Sequence, residues 1–165
     1  MKTLILMRHA KSSWKDQKIK DKDRPLTKRG MKDAVQIGNV LAKNELIPQL
    51  VLSSSVKRAR QTAELVLEAC HYPGEVIYMD KLFQAEADVI LDALRLLPNE
   101  VERVLVIGHN PGMECVLQIL TSQIIALPAA AAANISLLSD SWKSLGVENS
   151  AELIQLWRPK DLSNK

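Results

Sequence analysis

Arg8 and His9 close a short apolar run, Leu4-Ile5-Leu6-Met7, near the start of the 165-residue chain. A guanidinium next to an imidazole pairs an anion binder with a group that serves as nucleophile, acid or base. Two further stretches carry the same chemistry. Leu50-Val51-Leu52 leads through three serines into Val56-Lys57-Arg58, and Val104-Leu105-Val106-Ile107 leads into Gly108-His109-Asn110-Pro111-Gly112. Each apolar run is too short for a helix and reads as a strand buried on both faces. Arg8, His9, Arg58 and His109 then stand where strands end. Taken singly they are unremarkable: a strand-end His usually faces solvent, and Arg58 alone reads as a surface helix residue.

The placement becomes informative through the elements between the runs. Parallel strands bring their carboxyl ends to one edge of a sheet, where open α/β folds bind ligands. Two His and two Arg converging there repel one another when empty and become favourable around a dianion. Guanidinium groups grip phosphate through two parallel hydrogen bonds. Arg58 also falls in the first turn of a helix, against the positive end of its dipole. That position makes sense if dipole and guanidinium face a common anion. The glycine-containing loop at 108–112 lacks the Lys-Ser/Thr of a nucleotide-binding loop.

Strand and helix patterns alternate along the whole chain. Thr27 is positioned to cap a helix in which Met31, Ala34, Val35, Gly38 and Leu41 keep helical spacing as far as Asn44. Ala59, Ala63, Val66, Leu67 and Cys70 predict the next helix, capped by Ser54 or Ser55. Val76-Ile77-Tyr78 reads as a strand, and Ala87, Ile90, Leu91, Leu94 and Leu97 as a helix stopped before Pro98. Met113, Val116, Leu117 and Leu120 open another helix. Ile135 to Leu138 and Leu153 to Trp157 alternate as two strands paired at one edge, entered through an alanine-rich loop at 129–133. The segment Lys15–Asp23 alternates charge without apolar periodicity and reads as a solvated loop. The expectation is one α/β domain over residues 1–165: three layers, a mostly parallel central sheet with helices on both faces, and an antiparallel edge.

Composition excludes several classes. A 47% hydrophobic and 25% charged chain with net charge +3 is that of a globular protein. Basic tracts interleaved with aromatics are absent, so no nucleic-acid partner is expected. No apolar run reaches membrane-spanning length and no basic-then-apolar leader precedes the first strand, so neither a membrane nor an export route is expected and the default location is cytoplasmic. Cys70 and Cys115, in apolar helical contexts, read as reduced core residues. His71 ends a helix away from the strand edge and is assigned no role. No metal-ligand spacing occurs.

Leu6-Met7-Arg8-His9-Ala10 resembles the signature of the histidine phosphatase superfamily, which includes the phosphoglycerate mutases. Pro25-Leu26-Thr27-Lys28-Arg29-Gly30 resembles its LT..G segment, Ser54 to Thr62 its S...RA.QT segment, and Val106 to Pro111 its second-histidine segment, all in the family's order. The short length and the Trp157-Arg158-Pro159-Lys160-Asp161-Leu162 ending resemble the phosphohistidine phosphatase branch of SixA type. The resemblance implies that His9 is the nucleophile and becomes phosphorylated. It implies that Arg8, Arg58 and His109, joined by Arg24, bind the phosphoryl oxygens. Neither metal nor cofactor is implied, since the side chains supply the positive charge. One departure stands out. Relatives place a Glu or Asp after the third strand as the acid for the leaving oxygen, and here Gln84 stands about there, with Glu86 the possible acid and Asp88 beside it. Both acids also suit the first turn of a helix. A phosphorus–nitrogen bond to a protonated imidazole breaks without the acid an alkoxide needs. The expected function is therefore a metal-independent phosphatase removing phosphate from phosphohistidine on a protein. The alternative is a small-molecule phosphomonoesterase for a sugar phosphate or nucleotide. A mutase would need a lid for which this chain has little room, and a binding module would need the arginines but not His9.

Overall fold

A computed structural model describes residues 1–146 and 150–162. Six strands form one sheet: β1 (Thr3–Arg8), β2 (Leu50–Ser54), β3 (Val76–Met79), β4 (Arg103–Gly108), β5 (Ala132–Leu137) and β6 (Ala151–Trp157). Their order across the sheet is β3-β2-β4-β1-β5-β6. The first four run parallel, while β5 is antiparallel to both of its neighbours. Helices α1 (Lys28–Lys43), α2 (Lys57–Ala69), α3 (Ala87–Arg95), α4 (Gly112–Thr121) and the short α5 (Pro159–Leu162) complete the fold. The α/β architecture with an antiparallel edge is the one expected.

Alternation along β1 divides the core in two. Leu4 and Leu6 face one side, with Ile90, Leu91 and Leu94 of α3 and Met113, Val116 and Leu117 of α4. Ile5 and Met7 face the other, with Ala34, Ile37 and Leu41 of α1 and Ala59, Ala63 and Val66 of α2. The central strands are buried on both faces, which is why they read as continuous apolar runs. Lys2, at the far end of β1, is also buried. Its ammonium donates to the Asn99 and Val101 carbonyls and pairs with Glu102.

Several local expectations change. In α1 the buried stripe is Gly30, Ala34, Ile37, Gly38 and Leu41, while Met31 and Val35 are exposed. The helix is thus rotated so that Gly30 rather than Met31 meets the rest of the molecule, and any β-carbon there would collide with the Lys11 carbonyl. Neither Ser54 nor Ser55 caps α2: Val56 is the N-cap, and no side chain caps it by hydrogen bond. Ser54 is drawn instead to His109 and Ser55 to Asp80. β3 is an edge strand and only partly buried. Ala132 and Ala133 belong to β5, pairing with Met7 and Leu6, and Leu138 falls beyond the strand. Cys70 is buried but Cys115 is exposed on α4, because the helix turns Met113, Val116 and Leu117 inward. The charged segment contains a 3-10 turn at Asp21–Asp23.

Candidate active site

The sheet register sets the site. Arg8 pairs with Gly108 and Ser53 with Ile107, so β2, β4 and β1 end at one level in the middle of the sheet. His9 and His109 are the next residues beyond two of those ends, with ring centroids 4.9 Å apart. Arg58 enters from the first turn of α2. Together with Arg8, Arg24, Trp14, Gln84 and Asn110 they line a cavity of about 340 Å³. His9, Arg24, Arg58 and His109 are all buried, a costly state for two cations and two imidazoles without a paired anion in the cavity.

The polar residues of the motifs hold the segments together. Thr62 receives a hydrogen bond from the Ala10 amide at 3.0 Å and donates to the Arg58 carbonyl at 2.7 Å. It thus ties the residue after His9 to the turn that carries Arg58. Gln61 accepts from the Leu26 amide at 2.8 Å. Thr27 caps α1 by accepting from the Gly30 amide at 2.9 Å, while its own amide donates to Lys11. Ser12 bridges Leu26, so the chain after His9 is strapped along the segment that bears Arg24.

Each functional side chain has a defined partner. The nitrogen Nδ1 of His9 lies 2.8 Å from the Ala10 carbonyl. A carbonyl only accepts, so Nδ1 carries the proton, and in the neutral ring Nε2 keeps a free lone pair. Burial lowers the His9 pKa to about 4; the Ala10 bond opposes this, and Arg58, Arg8 and Arg24 reinforce it. Burial also lowers His109, to about 3, helped by His9 and Arg58 and opposed by Asp21. Both rings are therefore neutral at pH 7. The Nε2 of His109 lies 2.8 Å from the Ser54 hydroxyl, and its ring meets Phe83 edge-on at 5.5 Å.

The guanidinium groups are held in part and free in part. Arg8 donates to the Leu127 carbonyl at 3.2 Å, and Asn110 donates to the same oxygen at 2.9 Å. Arg58 donates to the Asp21 carbonyl at 2.9 Å and pairs with its carboxylate at 3.3 Å. Arg24 pairs with that carboxylate at 3.1 Å. Partial burial works the other way, yet Arg58 and Arg24 hold the Asp21 carboxyl below the usual range. The Nε atoms of Arg8 and Arg58 are buried without a hydrogen-bond partner among the described residues. Two buried donors without partners, on residues that line a cationic cavity, have the chemistry that an oxyanion would satisfy.

All five expected residues, Arg8, His9, Arg24, Arg58 and His109, line this cavity. Glu86 and Asp88 do not: Glu86 is the N-cap residue of α3, Asp88 sits in its first turn, and both are exposed. Gln84 does line the cavity, in the left-handed region at φ 52° that few non-glycine residues occupy. Close by, Gly112 at the start of α4 packs so near Ala85 that a β-carbon would strike its carbonyl. Sequence reasoning missed Asp21, Ser54, Phe83 and Trp14. Among the described residues no group of three His, Cys, Asp or Glu is arranged to hold a metal ion.

Residues 4–85 match the model of the histidine phosphatase superfamily (branch 1). The chain belongs to that superfamily. An uncharacterised chloroplastic protein of Arabidopsis thaliana is 30% identical over 149 residues, which cover 85% of this chain and 68% of the relative. The crystal structure of SixA from Agrobacterium tumefaciens superposes with a TM-score of 0.83 at 26% identity, covering 96% of this chain and 98% of that one. The protein histidine phosphatase SixA complexed with tungstate has the same fold, with a TM-score of 0.84 at 24% identity over 97% of this chain and 99% of that one. Within the superfamily this chain is of SixA type. No described helix is long and apolar enough to cross a membrane.

Proposed function

We propose that the protein is a phosphatase acting on phosphohistidine of a protein through a phosphoryl group carried on His9. The observation that carries this reading is the His9–Ala10 hydrogen bond, which fixes the proton on Nδ1 and leaves Nε2 as a neutral nucleophile among three guanidinium groups. In the first step Nε2 attacks phosphorus in line with the leaving nitrogen. The new bond makes His9 a phosphoimidazolium whose Nδ1–H remains on the Ala10 carbonyl. The bond to the substrate nitrogen breaks with its electron pair, giving neutral imidazole when the other ring nitrogen carries a proton. Water then attacks the phosphorus of phospho-His9, the pair returns to Nε2, and the proton of water leaves with the phosphate. Arg8, Arg58 and His109, with Arg24, stabilise the charge on the equatorial oxygens. Neither departure demands an acid, in keeping with Gln84 at the mouth and the exposed position of Glu86.

The side chains supply the positive charge that a metal would otherwise bring, so no metal is required by this scheme. The cavity at the carboxyl ends of the central strands is suited to a histidine presented by another protein, and the location proposed for the enzyme is the cytoplasm. The test is phosphate release from a phosphohistidine protein, with the wild type quenched during turnover. Acid-labile, base-stable label is expected on His9, and His9→Ala is expected to be inactive, with EDTA without effect on the wild type. Full activity of His9→Ala, or label on another residue, would overturn the mechanism. Efficient turnover of one metabolite that collapses in Glu86→Gln would replace the protein substrate with a small ester.

A further inference from the structure

Trp14 stands at the mouth of the cavity, and the covalent scheme gives it no part. Its ring lies over the Arg24 guanidinium, 3.3 Å from carbon to centroid. Yet it is 71% exposed, whereas Trp142 and Trp157 are buried. The exposed ring is not on a loose loop. Ser13 donates to the Pro25 carbonyl at 2.8 Å, Ser12 bridges Leu26, and the Asp21 carboxylate holds Arg24 at its Nε. The backbone is thus strapped to the segment carrying Arg24, and one face of the indole is pinned to a cavity-lining guanidinium. A flat apolar surface is left in water beside the site where a leaving group must depart.

We propose that Trp14 is a specificity-determining contact, with its free surface stacking on a flat leaving ring while Arg24 holds its other face. This rests on the phosphatase reading and deepens it. In-line displacement sends the leaving group away from His9 and out through the mouth, which Trp14 flanks. Aromatic rings favour offset or edge-on contact with another ring, which glycerol or serine cannot supply. The imidazole of phosphohistidine is such a ring. Trp14 also steadies Arg24 by its cation–π contact, so removing it affects every phosphorylated substrate to some degree. The specific signature is an additional loss on ring-bearing ones.

The experiment compares phosphoimidazole, phenyl phosphate and glycerol 2-phosphate in the wild type, Trp14→Phe and Trp14→Ala. The expected result is that Trp14→Ala lowers kcat/KM for both ring substrates about fivefold more than for glycerol 2-phosphate, chiefly through KM, and that Trp14→Phe restores most of the difference. A second readout uses the inert His9→Ala protein: phenyl phosphate is expected to quench its tryptophan emission, and not that of His9→Ala/Trp14→Phe. Equal losses on all three substrates would show that Trp14 acts only through Arg24, and no loss on any would make it a bystander; either overturns the proposal. Failure of the wild type to cleave phosphoimidazole would instead count against the phosphohistidine reading, while the two esters still decide the role of Trp14.

Discussion

Both terminal nitrogens of Arg58 are engaged by Asp21, one on its carbonyl and one on its carboxylate. That leaves Nε buried and open, a third donor on the same plane. A lysine cannot hold the Asp21 carbonyl, the Asp21 carboxylate and an oxyanion in this planar arrangement, because its three N–H donors all radiate from one nitrogen. Arg58→Ala is therefore expected to lower kcat on phosphoimidazole by about 10² to 10³, the scale of removing one preorganised donor. Arg58→Lys is expected to recover only part of that loss. Steady-state kinetics on the purified variants checks this, and wild-type rates in Arg58→Lys would exclude a forked contact. Arg58 was legible in the sequence because it follows a buried strand, within a helix whose apolar stripe is regular. Its partner was not legible. Asp21 lies in a run of alternating charges where no single carboxylate stands out, and only the fold brings it 37 residues along to Arg58.

The 3-10 turn at Asp21–Asp23 is the element that sequence periodicity conceals, since three residues cannot show a repeat. It places one carboxylate between Arg24 and Arg58. Two effects of removing that carboxylate oppose each other. The pocket gains net positive charge, which favours an anion, but the carboxylate is about half exposed (46%), where an ion pair is worth about 1 kcal/mol or less. Arg24 also loses its carboxylate anchor and Arg58 keeps only its bond to the Asp21 carbonyl, and a misplacement of about 1 Å can cost 10²-fold in rate. Positioning wins on these magnitudes. Asp21→Ala is expected to lower kcat about tenfold or more while inhibition by orthophosphate changes by no more than about fivefold. Measuring kcat and the inhibition constant separately tests this, and an unchanged kcat would rule out a positioning role. Other elements were easier to read. The runs that became β1, β2 and β4 are apolar throughout because both faces are covered, whereas β3 at the edge shows a weaker signal. Their spatial order was not readable: nothing in the chain says that β4 inserts between β1 and β2, and that insertion is what makes His9, His109 and Arg58 neighbours.

At the scale of the whole molecule, the site lies where three central strands end between two helical layers, so its imidazoles are withdrawn from water by the fold itself. Burial is accordingly the largest influence on both pKa values, about 4 for His9 and about 3 for His109. In the unfolded chain both rings titrate near 6.5. Between 6.5 and the folded values the unfolded state binds protons that the folded state refuses. Stability is therefore full above pH 6.5 and declines as pH falls toward 4 and 3. From pH 7 to pH 5 each ring contributes a loss of roughly 2 kcal/mol, since one pKa unit corresponds to about 1.36 kcal/mol. Carboxylates titrate chiefly below this window, so the histidines dominate it. Urea unfolding at the two pH values is expected to show the decline, and His9→Asn, which keeps a donor for the Ala10 carbonyl but does not titrate, is expected to lose about half of it. Nitrogen-15 spectra of the folded protein are expected to show both rings neutral at pH 5. Orthophosphate is expected to raise both midpoints, because a bound anion offsets Arg8, Arg24 and Arg58. A His9 midpoint near 6.5 in the anion-free protein, with no difference in pH dependence between His9→Asn and the wild type, would mean that the ring is solvated and that its neutrality is not a consequence of the fold.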